Sequence, residues 1–143
     1  MNRITETIIE EFTIKLLEKQ GYQYVYGPDI APDGDTPCRK SFEEVILIDK
    51  LRKAVSRINP TISADNREDA IKQLQRINTQ DLTVNNEKFH RMLTEGIKIE
   101  YQNNGYTRGD LVWLIDFHNP DNNDFFVVNQ FTVIQDNINK RPD

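Results

Sequence analysis

The chain has 143 residues and a formal net charge of −5, with 37% hydrophobic and 29% charged residues. These values predict a single globular domain over residues 1–143 with a modest core, and they exclude a low-complexity or fibrous chain. The acidic balance argues against a free-standing DNA-binding protein, because affinity for phosphate comes largely from lysine and arginine.

Nothing in the sequence predicts a membrane segment or an export signal. No apolar stretch approaches the roughly 18 residues of a membrane helix. Glu6, Glu10 and Glu11 interrupt the first apolar segment, which rules against a signal peptide. The one cysteine, Cys38, cannot form an internal disulfide and fits a reducing compartment. We therefore predict a cytoplasmic protein without membrane contact.

The first predicted element is an amphipathic helix over about residues 4–20. Apolar residues recur at the four-residue spacing that places side chains on one face of a helix, namely Ile4, Ile8, Phe12 and Leu16. Gly21 is suited to end the helix, because glycine tolerates left-handed geometry. Glu6 and Glu10 also lie four residues apart. Two interpretations stay open for this pair: a solvated edge of the helix, or an acid that reaches a metal ion.

A short strand over residues 22–26 and a long loop over residues 27–40 are predicted next. The loop holds three prolines and two glycines, so we expect it to be irregular and exposed. Ser41 and Glu44 form a capping-box pattern that predicts a helix start, and Pro60 forbids the helix to continue beyond Asn59.

This second helix carries two distinct faces. Its apolar stripe is predicted to be buried and consists of Ile48, Leu51, Val55 and Ile58. Lys50, Lys53 and Arg57 line another face. Such a basic stripe is usually the solvated side of a helix, and the alternative is contact with DNA or a partner protein. Two more helices are predicted over about residues 65–78 and 86–95.

From Ile97 the hydrophobic period changes from 3.6 to 2, which predicts a half-buried strand. Asn103, Asn104 and Gly105 then form a strong hairpin-turn signal. Residues 111–117 are nearly all apolar and predict a central strand covered on both faces. Residues 125–134 predict the next strand. Helices followed by mostly antiparallel strands favour an α+β fold, with the N-terminal helices packed on a mostly antiparallel or mixed β-sheet.

Polar residues are concentrated near the end of the chain. From Asp110 onward there are six aspartates and two basic residues, a balance that suits a metal site better than a phosphate groove. Asp116 and the asparagines around Pro120 are expected to satisfy backbone groups in a tight turn. Asn129 and Gln130 lie within a predicted strand, where they either line a cleft or form a buried amide ladder.

Short segments spread over nearly the whole chain carry a resemblance to a known family. They are Thr5-Glu6, Glu10, Gln20-Gly21-Tyr22, residues 27–32, Asn59-Pro60, Phe89-His90 with Leu93 and Gly96, Ile115-Asp116-Phe117, Asn119-Pro120, Asn122-Asn123-Asp124-Phe125, Asn129-Gln130-Phe131 and Arg141-Pro142-Asp143. In this order they resemble the N-terminal nuclease region of the R subunit of type I restriction-modification enzymes.

The resemblance implies a nuclease core of the PD-(D/E)xK class, in which two carboxylates hold Mg²⁺. Asp143 matches the first acid of this pattern, and Glu10 matches an acid on the first helix. We expect both residues to be catalytic and to bind the metal. The family pattern continues with a strand and Glu-x-Lys, which do not follow here. We therefore expect an incomplete core and a fragment without nuclease activity of its own.

The same resemblance implies double-stranded DNA as substrate and the methyltransferase and specificity subunits as partners. It assigns ATP to motor domains outside this chain, and the sequence contains no P-loop. An incomplete sheet would leave an edge for self-association. The alternative function is a non-catalytic interaction module in a DNA-processing complex. In that case Asp143 is an ordinary turn residue, and Lys50, Lys53 and Arg57 form the working surface.

Overall fold

The structure is a computed structural model and describes residues 5–141. Within this range it contains four α-helices and three two-stranded β-sheets. The predicted α+β class is therefore confirmed, with three small sheets in place of one larger sheet. Contacts divide the chain into a first unit, which runs up to Asp49 and resumes at Asp124, and a second unit, Lys50–Asn123. The single domain over residues 1–143 stays a prediction.

Helix α1, Glu6–Lys19, opens the first unit, and its bounds agree with the predicted helix. Gly21 adopts a φ of +98°. Its N–H donates to the Glu18 carbonyl at 3.0 Å, and the N–H of Tyr22 donates to the Leu17 carbonyl at 3.1 Å. This pair of bonds is a Schellman motif, which satisfies the last helical carbonyls. The glycine stop is therefore confirmed.

The apolar stripe of α1 is largely uncovered within residues 5–141. Ile8, Phe12 and Leu16 are 53%, 67% and 46% exposed, and no described residue of α1 is buried. Ile4, the first member of the predicted stripe, lies outside the described residues. Helical spacing thus placed these side chains on one face correctly, but within the described part of the first unit that face stays largely exposed.

Strand β1, Gln23–Tyr26, runs parallel to strand β2, Phe126–Asn129, and the pairing joins segments about one hundred residues apart. Directly after β1 comes a short 3₁₀ turn, Gly27–Ile30. The expectation of an exposed loop over residues 27–40 was wrong in part, since Ile30, Ala31 and Arg39 are buried.

The contacts of Arg39 hold this loop in place. Its guanidinium donates to the carbonyls of Glu44, at 3.0 Å, and of Thr132, and lies 3.9 Å from the centre of the Phe131 ring. Burial lowers the pKa of Arg39 from its usual value. A buried cation held by carbonyls and an aromatic face ties the loop to the segment after β2.

The strand predicted over residues 125–134 is divided into two. Strand β2 ends at Asn129, and the next strand, β3, is Val133–Gln135. Between them Gln130 has a φ of +51°, which a regular strand does not allow. Strand β3 pairs with β4, Ile138–Lys140, through a two-residue turn with positive φ at both positions.

Three helices and one hairpin make up the second unit. Helix α2 is Ile48–Ile58, α3 is Ala64–Gln75 and α4 is Leu82–Glu95. Strands β5, Ile97–Asn103, and β6, Tyr106–Val112, form the hairpin, and α3 packs on β5. The buried core of this unit consists of Val55, Ile62, Ala70, Ile71, Leu74, Ile97, Ile99, Val112 and Leu114.

Two helix starts differ from the predictions. Helix α2 begins at Ile48, because Ser41 and Glu44 form a turn: Ser41 Oγ accepts from the Glu43 N–H at 3.2 Å, and Glu44 Oε2 accepts from the Lys40 N–H at 2.9 Å. Helix α4 begins earlier than expected. The Asp81 carboxylate accepts from the Thr83 N–H at 2.9 Å, which is an N-cap interaction.

Helix α3 ends at Gln75, three residues before its predicted end, whereas other signals in this unit agree with the sequence. The predicted stop of α2 before Pro60 is confirmed. The hairpin turn is confirmed as well, with a φ of 50° at Asn104 and 80° at Gly105. The alternation along β5 is also present, because Ile97 and Ile99 are buried, whereas Lys98 and Glu100 are exposed.

The central strand predicted over residues 111–117 was wrong, because β6 ends at Val112. Asn59 replaces a strand partner there: its Oδ1 accepts from the Trp113 N–H and its Nδ2 donates to the Trp113 carbonyl, both at 2.8 Å. The same Nδ2 also donates to the Val55 carbonyl at 2.8 Å. This buried side chain therefore joins the end of α2 to the end of β6.

The residues after Trp113 form the expected polar turn around Asp116. Its carboxylate accepts from the N–H groups of His118 and Asn119 at 3.1 Å and 2.9 Å, and from Asn122 Nδ2 at 3.0 Å. These hydrogen bonds lower the pKa of Asp116, and the bond from Asn122 has the largest effect. The interpretation of Asp116 as a turn residue is confirmed.

We predict that Asn59→Ala lowers the free energy of unfolding by about 3 kcal/mol, because buried partners of the amide are left unsatisfied. Urea unfolding followed by circular dichroism measures the change. Asn78→Ala is the matched control, because Asn78 is exposed. Equal stability of the two variants would contradict the role of Asn59.

We also predict that Asp116 stabilises the fold in a pH-dependent way. Since its folded pKa is lowered, its contribution is present above the unfolded pKa of about 3.9 and is lost as the pH falls through the folded value. Urea midpoints of the wild type and Asp116→Asn should therefore differ near neutral pH and converge on acidification. A difference that does not depend on pH would exclude this carboxylate as the cause.

Candidate metal-binding site

The candidate site is built on Glu10, a half-buried residue of α1. Two consecutive side-chain amides from the end of β2 donate to its carboxylate. Asn129 Nδ2 donates to Oε1, and Gln130 Nε2 donates to Oε2 at 3.0 Å. Each carboxylate oxygen is therefore held by a separate neutral donor, which fixes the plane of the carboxylate.

Tyr24 on β1 extends this network by one hydrogen bond. Its hydroxyl donates to Asn129 Oδ1 at 3.0 Å. The pKa of Tyr24 is raised, first by burial and further by the charge of Glu10. A tyrosine hydroxyl is protonated near neutral pH and can therefore donate this hydrogen bond. It keeps the Asn129 oxygen turned toward β1, and this directs the NH₂ group toward Glu10.

The backbone must kink for both amides to reach one carboxylate, because successive side chains of a strand point to opposite faces. The positive φ at Gln130 supplies this kink. Gly27 lies opposite it and leaves room: a Cβ there would lie 2.7 Å from the Gln130 carbonyl oxygen and closer still to that of Asn129. A glycine is therefore required at position 27.

Glu10 faces an open cavity of about 560 Å³ between α1 and the β1–β2 pair. Glu10, Glu11 and Glu18 contribute three carboxylates to its lining, and Lys15 contributes one basic group. An acidic, partly open cavity attracts cations and repels phosphate. Its charge therefore suits a metal ion better than direct contact with a nucleic-acid backbone.

Other glutamates in the described chain are held differently. Glu68 accepts two hydrogen bonds from Arg52 at 2.9 Å, and Glu87 pairs with Arg91 at 2.8 Å. The arginine lowers the pKa of Glu68. The partners of Glu10 within residues 5–141 are neutral amides, with no lysine or arginine of that range paired to it. Its negative charge is oriented but not compensated.

A fixed, uncompensated carboxylate fits one ligand of a hard cation such as Mg²⁺, which prefers oxygen. Among residues 5–141 no group of three or more His, Cys, Asp or Glu side chains could hold a metal ion by itself. Asp143, the other predicted catalytic and metal-binding residue, lies outside the described residues. The geometry thus defines one acid of a candidate cation site in an α+β protein.

The predicted DNA-binding residues lie in the second unit, on α2. Lys50 is half-buried, whereas Lys53 and Arg57 are exposed. Arg57 Nε donates to the Asn122 carbonyl at 2.9 Å, so part of its guanidinium supports the polar turn. A DNA-binding role of these three residues stays a prediction.

The sequence left Asn129 and Gln130 with two interpretations, and it gave no role at the site to Tyr24 or to Gly27. The structure favours the cleft over the amide ladder, because both amides face Glu10 at the cavity. No local signal in the sequence could have joined Glu10 to amides 119 and 120 residues later. The parallel pairing of β1 with β2 creates this contact.

The chain matches the family described as Type I restriction enzyme R protein N terminus (HSDR_N) over residues 3–143. It belongs to this family. No solved structure matches the chain. Among the described residues, no helix has both the length and the apolar character to cross a membrane.

Two curated relatives extend this finding. The chain is 31% identical over 130 residues to the type I restriction enzyme HindI endonuclease subunit of Haemophilus influenzae, which covers 91% of this chain and 12% of the relative. It is 32% identical over 126 residues to a Methanocaldococcus jannaschii protein named as the type I restriction enzyme MjaIXP endonuclease subunit, which covers 88% of the chain and 12% of that relative. The chain thus spans about one eighth of the length of these relatives.

We predict that Gly27→Ala destabilises the protein by about 2 kcal/mol, because the new methyl group overlaps the carbonyls of Asn129 and Gln130. The midpoint of urea unfolding reports the change. Gly109→Ala is the matched control, since the nearest atom to a Cβ there is 3.9 Å away. A Gly27→Ala variant as stable as Gly109→Ala would show that β2 can shift without cost.

Proposed function

We propose that this chain is the N-terminal part of the nuclease region of a type I restriction enzyme R subunit and takes part in Mg²⁺-dependent cleavage of double-stranded DNA. Family membership supports the restriction-enzyme class. The observation that carries the metal role is the Glu10 carboxylate, which neutral amides fix without compensating its charge. Glu10 is proposed as one ligand of Mg²⁺ and Asp143 as a second, in a PD-(D/E)xK core.

The residues of this chain have separate tasks in the proposal. Glu10 binds the cation at the acidic cavity, and Asn129 and Gln130 orient its two oxygens. When bound, Mg²⁺ supplies charge stabilisation at the scissile phosphate and a more acidic water. Because the cavity is acidic, DNA binding there depends on the cation and on basic groups elsewhere. Lys50, Lys53 and Arg57 are proposed as such groups.

The partners follow from the same proposal. Methyltransferase and specificity subunits would supply sequence recognition, and motor domains of a longer subunit would bind ATP. Self-association through an unpaired strand edge remains part of the proposal, because each described sheet has only two strands. The relatives, about eight times as long as the matched region, leave room for such domains.

A second function, docking on other subunits without catalysis, is favoured by one specific observation. The apolar stripe of α1 is exposed on Ile8, Phe12 and Leu16. Exposed apolar faces of this kind are frequent at protein–protein contacts. In this alternative the Glu10 network only fastens α1 to β2, and the chain has no affinity for divalent cations.

A metal-binding experiment separates the two functions. Mn²⁺ is the probe, because it takes the same oxygen ligands as Mg²⁺ and is paramagnetic. We predict that the wild-type chain binds Mn²⁺, measured by water-proton relaxation, and that Glu10→Gln reduces the affinity at least about tenfold. Glu100→Gln, at an exposed site on β5, should bind as the wild type does. Equal Mn²⁺ affinity of Glu10→Gln and wild type would support the docking function.

We further expect the purified chain to leave plasmid DNA uncut in Mg²⁺, since Glu10 and Asp143 lack the Glu-x-Lys part of the catalytic pattern. Agarose gels of supercoiled plasmid measure nicking and linearisation. Cutting that EDTA abolishes would show that these residues suffice. In a protein that also contains Glu-x-Lys, Glu10→Ala should abolish cleavage, and full cleavage would remove Glu10 from the site.

A further inference from the structure

We propose that Asn129 and Gln130 are the positioning residues of the Glu10 site, and that Tyr24 sets the orientation of the Asn129 amide. This inference rests on the proposed metal role of Glu10 and adds the residues that determine its affinity. In this proposal neither amide contacts the cation or DNA. Both act through the carboxylate that they hold.

The hydrogen bonds leave the carboxylate free to bind a cation. An ionised carboxylate has about four lone-pair directions, and the two amides occupy one on each oxygen. The remaining directions can accept a metal ion. Because the amides carry no formal charge, they restrict rotation of the Glu10 side chain without lowering its attraction for a cation. A lysine or arginine at either position would compete with the metal.

The backbone kink shows that both amides are directed at one target. A positive φ is uncommon for a residue with a side chain. At Gln130 it turns the amide to the side on which the Asn129 amide already lies. Gly27 makes space for the kink on one side. After the kink, Arg39 holds the Thr132 carbonyl and the Phe131 ring. Contacts before and after Gln130 therefore maintain an unfavourable conformation whose result is a doubly held Glu10.

Tyr24 decides which end of the Asn129 amide faces Glu10. With the opposite orientation, Oδ1 of Asn129 would face the Glu10 carboxylate and repel it. The hydroxyl of Tyr24 donates to Oδ1 at 3.0 Å and so stabilises the orientation in which the NH₂ group donates. Removing this hydroxyl should leave the amide free to rotate. Tyr24 therefore acts on Glu10 through one intervening side chain.

If the hydrogen bonds to Glu10 only fasten α1 to β2, the expected effects of removing them are different. Loss of a purely structural hydrogen bond lowers the stability of the protein and leaves its cation affinity unchanged. Loss of a positioning residue lowers cation affinity, even where stability is kept. The decisive variants are therefore those that remove one hydrogen bond and change shape or strain little.

The experiment measures Mn²⁺ affinity and melting temperature for the same set of variants of the 143-residue chain. Gln130→Gly keeps the positive φ and removes the amide. It should melt close to the wild type and bind Mn²⁺ about tenfold more weakly, the usual effect of losing a supporting hydrogen bond at a metal site. Asn129→Leu, similar in shape, should show a comparable loss. Tyr24→Phe should also weaken binding, whereas Tyr106→Phe, at an exposed hairpin position, should not.

A second readout tests proximity directly. In ¹⁵N-labelled wild-type chain, Mn²⁺ should broaden the side-chain NH₂ signals of Asn129 and Gln130 at sub-stoichiometric concentration. The same signals should stay sharp in Glu10→Gln.

Each outcome separates the two levels of the proposal. If Glu10→Gln binds Mn²⁺ as tightly as the wild type, the metal role of Glu10 is wrong. If Glu10→Gln loses binding but Gln130→Gly and Tyr24→Phe stay within twofold of the wild type, only the positioning role is wrong. Should Asn129→Leu fail to fold, Tyr24→Phe still decides, because it removes a single oxygen from a side chain that is 38% exposed.

Discussion

Two neighbouring residues of a strand normally cannot hold the same partner, since their side chains leave the backbone in opposite directions. Asn129 and Gln130 nevertheless both donate to Glu10, one to each oxygen. The positive φ at Gln130 and the missing side chain at Gly27 make this geometry possible. Much of the first unit, from the end of β1 to the split between β2 and β3, is arranged around this contact.

The chemical consequence is a carboxylate with a fixed direction and an uncompensated charge. Elsewhere in the described chain, Arg52 pairs with Glu68 and Arg91 pairs with Glu87, as in ordinary surface ion pairs. Neutral amides hold Glu10 at an acidic cavity instead. An oriented carboxylate with an uncompensated charge can attract a cation. The chain that carries it belongs to a family of restriction-enzyme R proteins.

Local patterns in the sequence predicted the local parts of the fold. Four-residue spacing located α1, Gly21 marked its end, and Asn104-Gly105 defined the β5–β6 turn, because each depends on residues close in the chain. Predictions failed where a distant side chain decides the structure. Asn59 ends β6 by bonding Trp113, and Ser41 begins a turn rather than α2.

The candidate site was predictable only in part, for the same physical reason. The resemblance identified Glu10, while helical spacing alone left Glu6 and Glu10 equivalent. Asn129 and Gln130 were noticed as polar residues in a strand, but their shared target follows from a parallel pairing across about one hundred residues. Tyr24 and Gly27 owe their roles to that pairing, so a single sequence offered no signal for them.

The central claim is that Glu10, oriented by two amides, binds a divalent cation. A crystal of the chain soaked in Mn²⁺ and measured at a wavelength that gives anomalous signal tests it most directly. The account predicts an anomalous peak in contact with the Glu10 carboxylate, with Asn129 and Gln130 still donating to its two oxygens. A map without a peak at Glu10, or one in which a lysine or arginine occupies that carboxylate, would contradict it.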